Sequence, residues 1–264
     1  MRRNFNHEDL ENWAVFSGDR NPVHFDGDFA IKNGHSGRIV HGMLAMLPLK
    51  NHLALEAPIC AQTCEIKLHL KHAVPIDQFV DYTLSPVQNI KVSSDGKSLY
   101  TGSVKARSAS QATAETASDE RRPILERYCT EVLDKKYELL STLVGSHLHP
   151  SVYWDAILFS IYIEDNRKSA LASDVQRFLA REGISSNRPY VVYQISHALT
   201  LIDTDWTLAP GSNYESIAYS VKGKDLIRVN DSIFASVVFT LYSHDRPVLA
   251  VEMGLIANLL EESA

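Results

Sequence analysis

Residues 16–46 read FSGDRNPVHFDGDFAIKNGHSGRIVHGMLAM, and they join the end of one helix to the start of another through a loop rich in polar side chains. The helix ahead of the loop is predicted over residues 6–16. Asn6 can cap it, Glu8 and Asp9 fall in its first turn, and Leu10, Trp13 and Ala14 recur at helical spacing. It must end at SGDRNP, because Gly18 accepts a left-handed backbone and Pro22 cannot continue the hydrogen-bond ladder and holds Asn21 extended. Asp19 and His24 then lie five residues apart in a loop that Pro22 stiffens, so a carboxylate and an imidazole can converge on one small target such as a water. Both groups can exchange proton-donor and proton-acceptor roles near neutral pH. Asn21 would support the loop or the water, while Asp26 and Asp28 read as turn or capping residues. In IVHGM, Gly42 opens the next helix, where a ligand oxygen can approach the backbone and meet amide donors at the positive end of the helix. One such donor aimed at a developing negative charge is worth about 2.7–4 kcal/mol. His41 would fix the loop ahead of that helix, and Met43 follows it.

Outward from this stretch, residues 42–57, GMLAMLPLKNHLALEA, are apolar on nearly all sides, which predicts a buried helix that Pro48 should kink or shorten. Strand-like runs follow at 63–74, 79–92 and 98–107, with SSDGKS as the turn before the last. Residues 107–123, RSASQATAETASDERRP, have no apolar period and read as a linker. The same order then repeats. A helix over 124–143 leads through GSHLHPSVYW to the apolar run DAILFSIYI, a polar insertion, and strands near 190–202, 214–223, 226–243 and 247–260. The expected organisation is a unit over 1–106, a linker over 107–123 and a second unit over 124–264, with the two sheets able to meet edge to edge.

Composition narrows the partners. With 264 residues, 45% apolar and 22% charged, the chain is an ordinary globular protein rather than a disordered, collagenous or coiled-coil one. Lys and Arg number 26 against 32 Asp and Glu, a net charge of −6, so attraction to nucleic acid or an anionic membrane is not expected. No run approaches the roughly 18 consecutive apolar residues of a membrane span, and MRRNFNHEDL lacks the apolar segment of a secretion signal. A cytoplasmic location is expected, and three cysteines, Cys60, Cys64 and Cys129, suit a reducing compartment as core or surface thiols. A phosphate loop ending in GKS would need glycine at Lys91, and neither G-x-S-x-G nor G-x-G-x-x-G occurs. His147 and His149 lack a third ligand at convincing spacing, so no metal site is expected there or elsewhere. Tyr153, Trp154 and Phe159 read as core or cavity lining.

SGDRNPVHFD followed by IVHGMLA resembles the hydratase signature of the MaoC-like (R)-specific enoyl-CoA hydratases. The likeness extends more weakly through CEIKLHLKHAVPIDQFVDYTL. The resemblance implies an α+β double hot-dog fold, in which two central helices are each wrapped by an antiparallel sheet. It also implies catalytic roles for Asp19 and His24 on a water, with Gly42 polarising a thioester carbonyl, and substrate-binding roles for Asn21, His41 and Met43. The second half resembles the non-catalytic half of the double members. Aligning the halves through Pro22 and Pro150 puts His147 opposite Asp19 and Val152 opposite His24, so a second site would be inert. In this chain the motif-bearing half comes first, and the leading strand ahead of the first helix is short or absent.

The implied function is reversible hydration of 2-enoyl thioesters, or dehydration of (R)-3-hydroxyacyl thioesters, by a hydro-lyase. It needs no cofactor and works on an acyl-CoA or acyl-carrier-protein substrate, as a monomeric pseudo-dimer or a homodimer. Two other readings keep the fold: a non-catalytic acyl-thioester-binding or scaffold subunit, and a hot-dog thioesterase.

Overall fold

A computed structural model describes residues 1–56, 63–108, 120–145, 147–167, 170–183, 190–203, 206, 214–223 and 226–259. Cys60, the last residue of the expected first buried helix, Ala57, most of the expected linker (109–119) and Leu260 lie outside the described residues.

A short strand β1 (Arg2–Asn4) precedes helix α1 (His7–Ser17). The Asn6 side chain accepts from the Asp9 amide and the Asp9 carboxylate accepts from the Asn6 amide, so two of the helix's unpaired end donors are satisfied reciprocally. Gly18 closes α1 with φ of 75° while its N–H returns to the Ala14 carbonyl. The face carrying Leu10, Trp13, Ala14 and Phe16 is buried. After the loop come a 3-10 turn (Pro22–His24) and a short helix α2 (Gly27–Lys32), capped by the Asp26 carboxylate on the amides of Asp28 and Phe29. A two-residue strand β2 (Ile39–Val40) pairs with β4 (Val74–Pro75) and so fixes the entry to helix α3 (Gly42–Glu56). Pro48 does not shorten α3, which continues past it to Glu56. One turn earlier, the Tyr82 hydroxyl donates to the Ala45 carbonyl, tying the helix to the sheet.

The first half supplies β3 (Cys64–Leu70), β5 (Phe79–Leu84), β6 (Asn89–Ser94) and β7 (Lys97–Ala106). The expected strand over 79–92 is two strands. Ser85–Gln88 turns between them, with the Ser85 N–H on the Asn89 carbonyl and the Gln88 N–H on the Ser85 carbonyl. The β6–β7 hairpin turns at Asp95 (φ 46°) and Gly96 (φ 78°), the two left-handed residues that match the twist of paired strands.

The second half starts later as a helix than its sequence suggests. Arg122–Pro123 form strand β8, Ile124–Glu126 a 3-10 turn, and helix α4 begins only at Thr130, running to Val144. Pro123 has no N–H to give a helix interior, and the two residues are instead drawn onto the sheet opposite Ala218 and Tyr219. Helix α5 (Pro150–Arg167) begins ahead of the apolar run, with proline tolerated in its first turn, where no intrahelical donor is required. The polar insertion contains a helix, α6 (Ala170–Arg181), anchored through Leu179 on Ile233, Ala257 and Leu259. The strands are β9 (Tyr190–Leu201), β10 (Ile217–Gly223), β11 (Ile227–Val229), β12 (Ser232–Ser243) and β13 (Arg246–Leu259). The run over 226–243 is a hairpin rather than one strand, broken where Asn230 takes φ of 56°.

Eleven of the strands form one antiparallel sheet in the order β1-β5-β6-β7-β3-β9-β13-β12-β10-β8, with β11 on β12. Its centre is the seam where β3 of the first half pairs with β9 of the second, from Cys64 opposite Leu201 to His69 opposite Ser196. The two apolar helices α3 and α5 pack on each other, and the main core runs through both halves from Trp13 and Leu44 to Trp154 and Phe239. Cys64 is a buried thiol and Cys129 an exposed one.

Candidate active site

The loop after α1 is built by local hydrogen bonds that its sequence makes available. Asp19 Oδ1 accepts from the Asn21 N–H at 3.2 Å, and Asn21 Oδ1 accepts from the Val23 N–H at 3.3 Å, which caps the 3-10 turn. That turn presents the His24 ring, whose Nδ1 lies 2.9 Å from the Ile39 carbonyl. A carbonyl only accepts, so Nδ1 carries the hydrogen and Nε2 keeps a lone pair. Burial pushes His24 below the ordinary imidazole value, against the opposing pull of the Asp19 charge and the Ile39 carbonyl, so the neutral ring is favoured.

His41 stands behind His24, the two rings stacked at 3.6 Å between centroids. Its Nε2–H donates to the backbone carbonyl of Asp19 at 3.0 Å, closing the loop onto the start of α3. His41 is 1% exposed, and burial first, then the neighbouring His24, hold it well below the ordinary imidazole value. It ties the loop to α3 and is not among the residues that line the cavity.

A carboxylate oxygen of Asp19 and ring nitrogens of His24 and His41 all lie within 4.8 Å of one another. Three donors at that spacing raise the question of a metal ion. A metal needs lone pairs that converge, whereas those of two stacked rings lie in nearly parallel planes, here 27° apart.

Asp19 and His24 open onto a cavity of about 770 Å³. Asn21, Gly42 and Met43 also line it, so five of the six residues singled out in the sequence meet on one wall. Gly42 both opens α3 and lines the cavity, so the helix end whose first amides have no intrahelical partner stands beside that space. The second half provides the facing wall: Phe159, Tyr162 and Ile163 from α5, Val192 and Gln194 from β9, and Leu255 from β13. Exposed Lys32, Lys71 and His72 stand on the rim, brought together from the end of α2 and the turn after β3. Their convergence was not visible in the sequence, where the three lie in separate segments.

The corresponding positions of the second half carry no such chemistry. His147 is exposed, its carbonyl accepting from the Asn51 amide, and Val152 is buried in α5. His149 is structural, its Nδ1 placed 2.8 Å from the Ser151 hydroxyl at the start of α5.

Sequence reading missed a polar cluster between the halves. Lys50 Nζ on α3 donates to Asp155 Oδ2 on α5 at 2.7 Å, and His197 Nε2 on β9 lies 2.8 Å from Asp155 Oδ1. All three are 0% exposed. Burial opposes the charge on Asp155, but His197 and Lys50 together hold its carboxyl below the ordinary carboxylate value. The signal was present: Lys50 and Asp155 are opposite charges set among apolar residues, one in each of the two buried helices.

Residues 2–108 match the family model described as MaoC like domain. That stretch holds the loop and helix motif that resembles the same family in the sequence. The chain is 50% identical over 42 residues to the mitochondrial 3-hydroxyacyl-acyl-carrier-protein dehydratase of Arabidopsis thaliana, which is 16% of this chain and 25% of that protein. The match thus spans about a quarter of the length of that curated relative. As a structure, the chain is similar to a conserved hypothetical protein from Mycobacterium tuberculosis with a double hot-dog fold, at 9% identity and a TM-score of 0.51. That likeness covers 97% of this chain and 94% of the other, and at this identity it is a likeness of fold. The chain also resembles the (R)-hydratase from A. caviae involved in PHA biosynthesis, at 24% identity over 40% of this chain and 92% of that one, with a TM-score of 0.30. The fold is a double hot-dog of the α+β class, with α3 and α5 as its two central helices.

Proposed function

We propose that the chain is a hydro-lyase that adds water reversibly to 2-enoyl thioesters and, in the other direction, dehydrates (R)-3-hydroxyacyl thioesters. One observation carries this reading. A carboxylate and a neutral imidazole with an open nitrogen sit together at a cavity that also exposes the amide end of a helix at Gly42. In this mechanism Asp19 and His24 hold one water against C3 of the enoyl group. As the water oxygen bonds to C3, one of its protons passes through the pair and is returned to C2, so the substrate gains one H2O. Electron density moves onto the thioester oxygen during attack, and the Gly42 amide at the positive helix end stabilises it. His24 suits the work because its Nδ1 is committed to the Ile39 carbonyl, which leaves Nε2 as the base. Asn21 and His41 hold the loop in the geometry this requires.

The relative from Arabidopsis, named as a dehydratase of a 3-hydroxyacyl group on acyl carrier protein, supports the reaction class. Lys32, Lys71 and His72 on the rim support a phosphate-bearing carrier, either CoA or a carrier protein's phosphopantetheine. The inert second half serves as the wall for the acyl chain, and residues 1–106 and 124–264 act as the catalytic and supporting units.

The test is incubation with crotonyl-CoA, following loss of the conjugated enoyl absorbance and gain of one water by mass spectrometry. Asp19→Asn and His24→Gln are each expected to lower kcat by roughly 10²–10⁴-fold, the usual contribution of general acid–base catalysis. Binding without turnover would favour the scaffold reading, and release of free thiol the thioesterase. Either result overturns the proposal.

A further inference from the structure

The buried cluster between α3, α5 and β9 ends at the cavity, and its last member is Gln194. The Gln194 Nε2 lies 2.9 Å from His197 Nδ1 and 3.4 Å from the Ser196 carbonyl. A carbonyl cannot donate, so the amino end of the side-chain amide must face Ser196 and His197. His197 Nδ1 is then an acceptor, which places the ring hydrogen on Nε2, where it is donated to Asp155. Asp155 is held in turn by the Lys50 ammonium, which also reaches Met43 Sδ at 3.3 Å. Each member has its orientation fixed by the next. The consequence falls on the far end of the amide: Gln194 Oε1 is turned toward α3 and lies 3.7 Å from where a β-carbon on Gly42 would stand. The wall beside the helix-end donor therefore presents an acceptor, supplied by the otherwise inert half.

Resting on the reaction proposed above, we infer that Gln194 is a substrate-binding residue that accepts a hydrogen bond from the carrier arm of the thioester. If the Gly42 amide holds the thioester oxygen, the acceptor beside it faces groups close to that carbonyl. The acyl part of a 2-enoyl thioester offers no N–H or O–H. Its first donor on the other side is the amide N–H two carbons beyond the sulfur, present alike in CoA and in phosphopantetheine. His197 is a positioning residue in this scheme, acting through the Gln194 amide.

The experiment compares two crotonyl thioesters that differ in one group: the N-acetylcysteamine thioester, which carries that N–H, and the O-acetyl-mercaptoethanol thioester, which has oxygen in its place. The wild-type chain is expected to prefer the amide by about 10-fold in kcat/KM, the effect of one hydrogen bond whose acceptor is otherwise left facing a non-donor. In Gln194→Met, of similar shape, and in His197→Ala, where the amide loses its anchor, the ratio is expected to fall toward one. Both substrates are measured in each variant, so a general loss of folded protein cancels from the ratio. Equal kcat/KM for the two thioesters in the wild type, or a preference that survives either substitution, would overturn the inference while leaving the hydration reading intact. Hydration of neither thioester, nor of crotonyl-CoA, would instead sink the reaction itself.

Discussion

Gly42 shows how little room the proposed chemistry leaves at a single position. A β-carbon there would come within 2.9 Å of Leu70 Cδ2, the flexible end of a side chain that also lines the cavity. Gly42→Ala therefore has room to fold, with Leu70 displaced into the space a substrate needs. An added methyl beside the amide also moves a bound carbonyl off its donor. We expect kcat/KM for crotonyl-CoA to fall by roughly 100-fold, the usual result of misplacing a reacting group by an ångström, with steady-state kinetics as the check. At this scale the convergence of Asp19, Asn21, His24 and Gly42 on one cavity was legible in the sequence. Their geometry is made locally, by turn hydrogen bonds and a helix start within one short segment. Gln194 was not legible, because its orientation is fixed through His197 of its own strand by side chains from two distant elements, α5 and α3.

Among elements, the crossing of α3 and α5 carries the largest electrostatic stake. Each helix carries a long apolar stretch, and each brings one charge to the contact, where Lys50 and Asp155 meet away from water. Asp155→Ala leaves the Lys50 cation buried without its partner and is expected to lower unfolding free energy by about 3–5 kcal/mol, read from the denaturant midpoint. The Arg20–Glu11 pair at 3.1 Å is a useful contrast, since its side chains are 50% and 41% exposed. Glu11→Ala should change stability by no more than about 0.5 kcal/mol. The apolar runs made both helices visible in the sequence, but their crossing depends on how the two halves dock. Turns were harder to see: SPVQ and VND break runs of strand-forming residues with only a few positions, and periodicity alone reads across them. The late start of α4 has the same origin, a two-residue strand captured by a neighbour far along the chain.

For the whole molecule, a main core and a large sheet that both span the two halves mean that the buried imidazoles bear on the stability of both halves together. Burial lowers His24, His41 and His197 from their ordinary value of 6.5. As pH falls below about 6.5, the unfolded chain takes up protons on these residues while the folded chain resists, so the unfolded state binds more protons and stability drops. Asp155, held below its ordinary value, acts in the same direction at still lower pH. We expect the thermal midpoint to decrease steadily from neutral pH to about pH 5, and a midpoint that is flat or rises over that interval would contradict the burial of these rings. The repeat of helix, buried helix and strands announced the two-part architecture. Which strands would meet was open until β3 and β9 were seen side by side.

The joining of β3 to β9 within one polypeptide has an effect beyond geometry. A subunit pair held only by noncovalent forces comes apart when its concentration drops, whereas a tethered companion stays at a local abundance fixed by its leash. The ratio of the motif-bearing half to the other is therefore set at synthesis, indifferent to dilution or expression level. A substitution in one half also occurs only once per molecule. In a symmetric pair the same change would strike twice, so here the second half is released to diversify its wall of the cavity without altering the Asp19–His24 loop.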